Sequence, residues 1–210
     1  MFPISLETLL AFGTASVLLA LAPGPDNIFV LTQSAMRGRF SGLIVTLGLC
    51  TGLLVHTTAV TFGVAVIFQA SALAFTILKL AGAAYLLYLA WQAFRASAAA
   101  IKAGPGGRLT FGKLYQRGII MNITNPKVSI FFLAFLPQFA DPARGSLTLQ
   151  LILLGGVFIA ATVVVFGGIA WMAGSLGQWL IRNEKAQTIM NRVAGTVFVG
   201  LAVKLATTTR

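Results

Sequence analysis

Two charges stand directly after a proline inside apolar stretches. Asp26 follows Pro23-Gly24-Pro25 and precedes Asn27; Lys127 follows Thr124-Asn125-Pro126, at an offset of 101 residues. Proline removes a backbone hydrogen bond and clashes with the preceding turn, so each motif breaks a helix. In lipid, such a break is tolerated only where protein or a water-filled cavity satisfies the freed groups. An ionisable residue at a break points to function. Paired breaks at corresponding places in two halves point to a transporter binding site. The chemistry on offer is recognition of a zwitterion: an amine on Asp26, a carboxylate on Lys127, and Asn27, Asn122 and Asn125 orienting the solute.

A structural reading stands beside this one. Proline suits the first helical position, which makes Gly24 and Asn125 N-caps. A helix N-terminus favours an anion, so Asp26 is content there without any ligand. Lys127 is not, and calls for something anionic nearby, either Asp26 or a solute carboxylate. A buried Asp26–Lys127 pair would also serve structure alone, because removing one partner costs about 3–5 kcal/mol. Proton coupling has two candidate carriers, Asp26 and the single histidine, His56; for His56 the reading as a hydrogen-bonded helix-packing residue is the stronger of the two.

The elements that position these residues are membrane helices. The chain is 58% hydrophobic and 9% charged, against about 25% charged in soluble domains. At about 20 residues per span, 210 residues give six helices. Span 1 runs from Leu6 to Ala22 and resumes from Ile28 to Met36. Residues 1–22 read as this span rather than as a cleaved signal, since the start carries Glu7 and no Lys or Arg. Span 2 covers Phe40–Phe68; its Gly38/Gly42 and Gly48/Gly52 pairs let another helix come close. Span 3 covers Leu73–Phe94, with Tyr85, Tyr88 and Trp91 as interface anchors or packing. Span 4 runs from Gly118 to Pro137 through the second break. Asp141-Pro142 and Gly145 form a turn. Span 5 covers Leu147–Met172, a polar loop follows from Gly174 to Asn191, and span 6 covers Val193–Ala206, a short run whose start can reach back to about Thr188.

Ten of the fifteen basic residues fall on one side of this arrangement, from Arg37 and Arg39 through Arg95–Arg117 to Arg182–Arg192. That side is cytoplasmic, and both termini face outward. Three spans per half is an odd number, so the second half enters from the opposite face, as an inverted repeat. The expected division is 1–95 for the first repeat, 96–117 for a cytoplasmic linker around Gly104-Pro105-Gly106-Gly107, and 118–210 for the second repeat. The fold class is an all-α polytopic membrane protein with helices 1 and 4 broken.

Other chemistries find little support. The formal charge of +11 lies between apolar runs, as topology requires, and does not indicate nucleic acid. One histidine and Cys50 make a poor metal set. No phosphate-binding Gly-x-x-x-x-Gly-Lys-Ser/Thr loop occurs. No Ser–His motif supports an intramembrane enzyme, and no cofactor is expected.

Leu-Ala-Pro-Gly-Pro-Asp-Asn at 21–27, Arg37-Gly38-Arg39, Lys-Leu-Ala-Gly-Ala-Ala-Tyr-Leu-Leu-Tyr-Leu at 79–89 and Asn-Ile-Thr-Asn-Pro-Lys at 122–127 resemble the lysine exporter / homoserine–threonine exporter family (LysE/RhtB) over nearly the whole chain. The resemblance implies a bacterial inner-membrane exporter of amino acids or derivatives that uses the proton gradient, with its motif at Pro23, Gly24, Pro25, Asp26, Asn125, Pro126 and Lys127. One buried acid beside one buried base suits a neutral amino acid. The rival readings are export of a cation or other metabolite on the same scaffold, and a non-transporting membrane assembly or lipid-handling protein. The partners expected are an amino-acid substrate, protons and the lipid bilayer, with a homo-oligomer as an open alternative to a monomer.

Overall fold

A computed structural model describes residues 3–64, 72–96, 109–172 and 183–207. The expected Gln69-Ala70-Ser71 loop, most of the linker with Lys102 and Arg108, and Gly174 and Arg182 of the second polar loop lie outside the described residues. What is described is all helical. In chain order the helices are α1 (Leu6–Leu21), α2 (Pro25–Arg37), α3 (Arg39–Ala59), α4 (Ala72–Arg95), α5 (Phe111–Ile123), α6 (Pro126–Ile130), α7 (Leu147–Met172) and α8 (Glu184–Thr207). Four helical stretches are long and apolar enough to cross a membrane alone. The count is six when each bent pair forms one span: α1 with α2, bent by 61°, and α5 with Pro126–Phe139, bent by 50°.

Local chemistry sets the ends. The Ser5 hydroxyl accepts from the Thr8 amide and starts α1. Thr110 does the same for Lys113, so α5 begins at Phe111 rather than at Gly118, and residues 111–117 of the expected linker are helix. Asn183 accepts from the Ala186 amide. Helix α8 therefore begins at Glu184, and the loop expected to reach Asn191 is already two helical turns there. Span 5 begins at Leu147 as expected, and the described part of its helix reaches Met172. Past Ile130 the chain continues as a π-helical turn, Phe131–Phe135, and a 3-10 turn, Leu136–Phe139.

Glycine decides two features. Gly38 joins α2 to α3 at φ +85°, a backbone region that side chains resist; it is a turn residue, and not half of a helix-packing pair. Gly48 and Gly118 let α3 and α5 touch backbone to backbone. A Cβ on Gly48 would lie 2.2 Å from the Tyr115 carbonyl oxygen, and one on Gly118 would lie 2.5 Å from that of Val45.

Helix α5 lies along α3, α4 along α8, and α1 along α7, while α3 also packs on α7. The basic residues mark one end of the bundle. Arg37 donates to the Leu109 carbonyl, Arg39 stands 4.2 Å over the Trp171 ring, and Arg117 stands 4.9 Å over Phe29. At the other end Lys204 lies over Phe139. Between the break and that second end, Phe12, Phe131, Phe135 and Phe158 are buried, with ring centroids about 5–6 Å apart; Phe139 closes the stack against Phe12 and Phe135.

Candidate functional site

The two breaks meet. Pro25 and Pro126 occupy the first turns of α2 and α6, and Gly24 and Asn125 are the N-caps. Asn125 ties the breaks together. Its side-chain oxygen accepts from the Lys127 amide at 3.0 Å. Its side-chain nitrogen donates to Asp26 Oδ2 at 2.9 Å.

Breaking a helix orphans the carbonyls of its last turn. At the end of α1 these are taken by side chains. Asn27 Nδ2 donates to the Ala20 oxygen at 2.7 Å. Lys127 Nζ donates to Ala22 at 2.9 Å and to Leu19 at 3.3 Å. A cation at a helix C-terminus is favoured. The expectation that Lys127 needs an anion is therefore corrected. Its backbone sits at one helix N-terminus, but its long side chain carries the charge to the C-terminus of another helix. Lys127 and Asp26 form no ion pair; among the described residues the one salt bridge is Arg144–Asp141.

Asp26 and Lys127 are 3% and 8% exposed, and Asn27, Asn122 and Asn125 are also buried. Asp26 Oδ1, Asn27 Oδ1 and Asn122 Oδ1 have no hydrogen-bond partner. His56 is set apart from them. Its Nε2 lies 3.2 Å from the Asn122 carbonyl, which only accepts, so that nitrogen carries the hydrogen. Its ring leans on Phe132 at 5.5 Å. His56 thus caps the end of α5 as Lys127 caps the end of α1.

Two cavities adjoin the breaks. One, of about 20 Å³, is lined by Asp26, Asn122, Lys127, Thr162, Phe158 and Phe166, among others. The other, of about 340 Å³, reaches from Gly24, Asn125 and Lys127 to Ala96 and Asn191, near the basic ends of α4 and α8. Tyr85 and Gln92 from α4 line it too. Sequence reading missed Gln92 and Asn191 and took Tyr85 for an anchor or packing residue. A signal existed: Tyr85, Leu89, Gln92 and Ala96 follow helical spacing down one face. Tyr88 and Trp91 are about half exposed, as anchors would be. No group of three or more His, Cys, Asp or Glu side chains comes together among the described residues.

The profile of the LysE type translocator family matches residues 17–209. The chain belongs to that family. Among curated relatives of this LysE-type chain, a homoserine/homoserine lactone efflux protein of Salmonella typhimurium is 36% identical, over 93% of this chain and 94% of its own. An uncharacterized membrane protein of Vibrio cholerae is 33% identical over 94% and 96%. A leucine efflux protein of Salmonella choleraesuis is 26% identical over 91% of each. No solved structure matches. Family and helices together make this a multi-pass membrane protein of an amino-acid efflux family, as the sequence motifs imply.

Proposed function

We propose that the protein exports a small neutral amino acid or a derivative from the bacterial cytoplasm in exchange for protons, by alternating access around the two breaks. The observation that carries this is the meeting of both breaks at one end of a cavity of about 340 Å³, with a buried cation in its wall. That volume lies at the small end of ligand pockets, about 300–1,000 Å³, and suits one amino acid. In this reading Lys127 receives the carboxylate, Asp26 takes the amine or the proton, and Asn27, Asn122 and Asn125 hold the geometry. The names of the relatives, homoserine/homoserine lactone and leucine efflux proteins, favour uncharged side chains. The packing supports two repeats, 1–95 and 118–210, joined through 96–117: α1 lies on α7 as α5 lies on α3.

The test is export from proteoliposomes under an imposed pH gradient, with a panel of amino acids and lactones. Wild type moves a neutral member of the panel, and collapse of the gradient stops it. Asp26→Asn stays in the membrane and loses pH-driven export. Unchanged efflux from that variant sinks the reading.

A further inference from the structure

We propose that solute and coupling proton occupy separate compartments divided by Lys127. The larger cavity takes a neutral amino acid whose side chain offers a hydrogen bond, read by Tyr85, Gln92 and Asn191. The Asp26 cavity takes only a proton or a water. This rests on the exporter reading and divides its site in two.

Size separates the compartments first. The Asp26 cavity, at about 20 Å³, exceeds the roughly 10–15 Å³ that one water needs and excludes any amino acid. Asp26 does not line the larger cavity, whereas Lys127 lines both. A solute entering from the basic end therefore meets Lys127 and not Asp26. Gly24 keeps this approach open, since a Cβ there would stand 3.1 Å from Lys127 Nζ.

Charge then sets the class of solute. Among the described residues no Asp or Glu lines the larger cavity, and Lys127 is the one charged side chain that does. A carboxylate is welcome there. A cationic side chain would find no counter-charge and would feel the Lys127 ammonium.

The far wall supplies the finer choice. The Gln92 amide donates to the Tyr88 hydroxyl, and the Asn191 amide donates to the Ala96 carbonyl at 3.4 Å. Their side-chain carbonyl oxygens are acceptors, and Tyr85 lines the same cavity. Such a wall favours a side chain that brings a neutral donor, a hydroxyl, over one that brings only methyl groups.

The small cavity suits a proton for a different reason. Asp26 Oδ1 and Asn122 Oδ1 are both buried acceptors without partners, and both residues line it. Leaving such groups unpaired is costly. One proton turns the Asp26 carboxylate into a carboxyl O–H, a donor with the Asn122 oxygen in the same cavity to accept it. The ionisable neighbours are Lys127, in the same lining, and His56, on the far side of the Asn122 carbonyl.

The experiment uses the purified full chain in nanodiscs, with equilibrium binding of labelled homoserine, leucine and lysine, and pH-driven export of each from proteoliposomes. Wild type binds homoserine ahead of leucine and does not retain lysine. Asp26→Asn keeps homoserine affinity within about threefold while pH-driven export is lost, and Lys127→Met loses binding. Asn191→Leu with Gln92→Leu lowers the homoserine-to-leucine preference about tenfold. Gln92 is exposed and Asn191 half-buried, and the thermal midpoint checks that the double variant is folded. Two results overturn the proposal: Asp26→Asn losing binding as fully as Lys127→Met, or the double variant keeping the wild-type preference. A wild-type protein that neither binds nor exports any of the three overturns the exporter reading itself, and this inference with it.

Discussion

His56 and Lys127 do similar work at two places: each donates to a carbonyl in the last turn before a helix break, although the Asn122 oxygen also accepts from the Asn125 amide. For His56 this argues a capping role, which a neutral donor can fill. His56→Gln is expected to keep pH-driven export near wild type in proteoliposomes. His56→Leu removes the donor and lowers stability by about 1 kcal/mol, a few degrees in the unfolding midpoint. A Gln variant that folds normally yet has lost pH-driven export would return His56 to the proton pathway. The sequence makes the residues of the site legible but not their partners. Asp26, Asn125 and Lys127 stand out as charges and amides at proline breaks. That Lys127 is satisfied by the backbone of Ala22, 105 residues away, is a fact of packing that no local pattern carries.

At the scale of elements, close approach of α3 and α5 is the feature most exposed to test. Gly48→Leu drives a side chain into the backbone of Tyr115, and backbone cannot yield as a flexible side chain does. The cost should reach or exceed about 3 kcal/mol, seen as a broad, aggregated elution profile and low membrane yield. Gly156, also mid-helix, faces open space, so Gly156→Leu should stay within about 0.5 kcal/mol of wild type. Equal damage from both would mean that bulk in the helix matters and the α3–α5 contact does not. Legibility at this scale followed hydropathy. The start of helix α7 at Leu147 was readable because its apolar run follows the polar turn Asp141–Ser146 at once. The starts of α5 and α8 were not, because Thr110 and Asn183 cap them within polar stretches, where hydropathy sees only a loop.

For the whole molecule, the distribution of space and aromatic rings defines a state. The larger cavity reaches from the breaks toward the basic end, while Phe12, Phe131, Phe135, Phe139 and Phe158 fill the opposite side. In the proposed exporter, with the basic end cytoplasmic, these features fit an inward-facing state with the stacked rings on the outer side. The plug runs through a π-helical turn, Phe131–Phe135, and such turns recur at functional sites in helices. Alternating access requires the two sides to exchange accessibility. The check is single-cysteine labelling with a membrane-impermeant maleimide, after Cys50→Ser. Gln92→Cys, in the cavity wall, should label at once in inside-out vesicles, and saturating solute should slow it. Ala15→Cys sits one turn from Phe12 toward the break, is buried in the same cluster, and changes little volume. It should resist reagent from the outer face of resting right-side-out vesicles and label when solute and a pH gradient drive turnover. Rapid labelling of Ala15→Cys from outside at rest would mean the rings do not close that face. Labelling that never responds to turnover would mean the plug is fixed structure, and the breaks would then need another route to the outside.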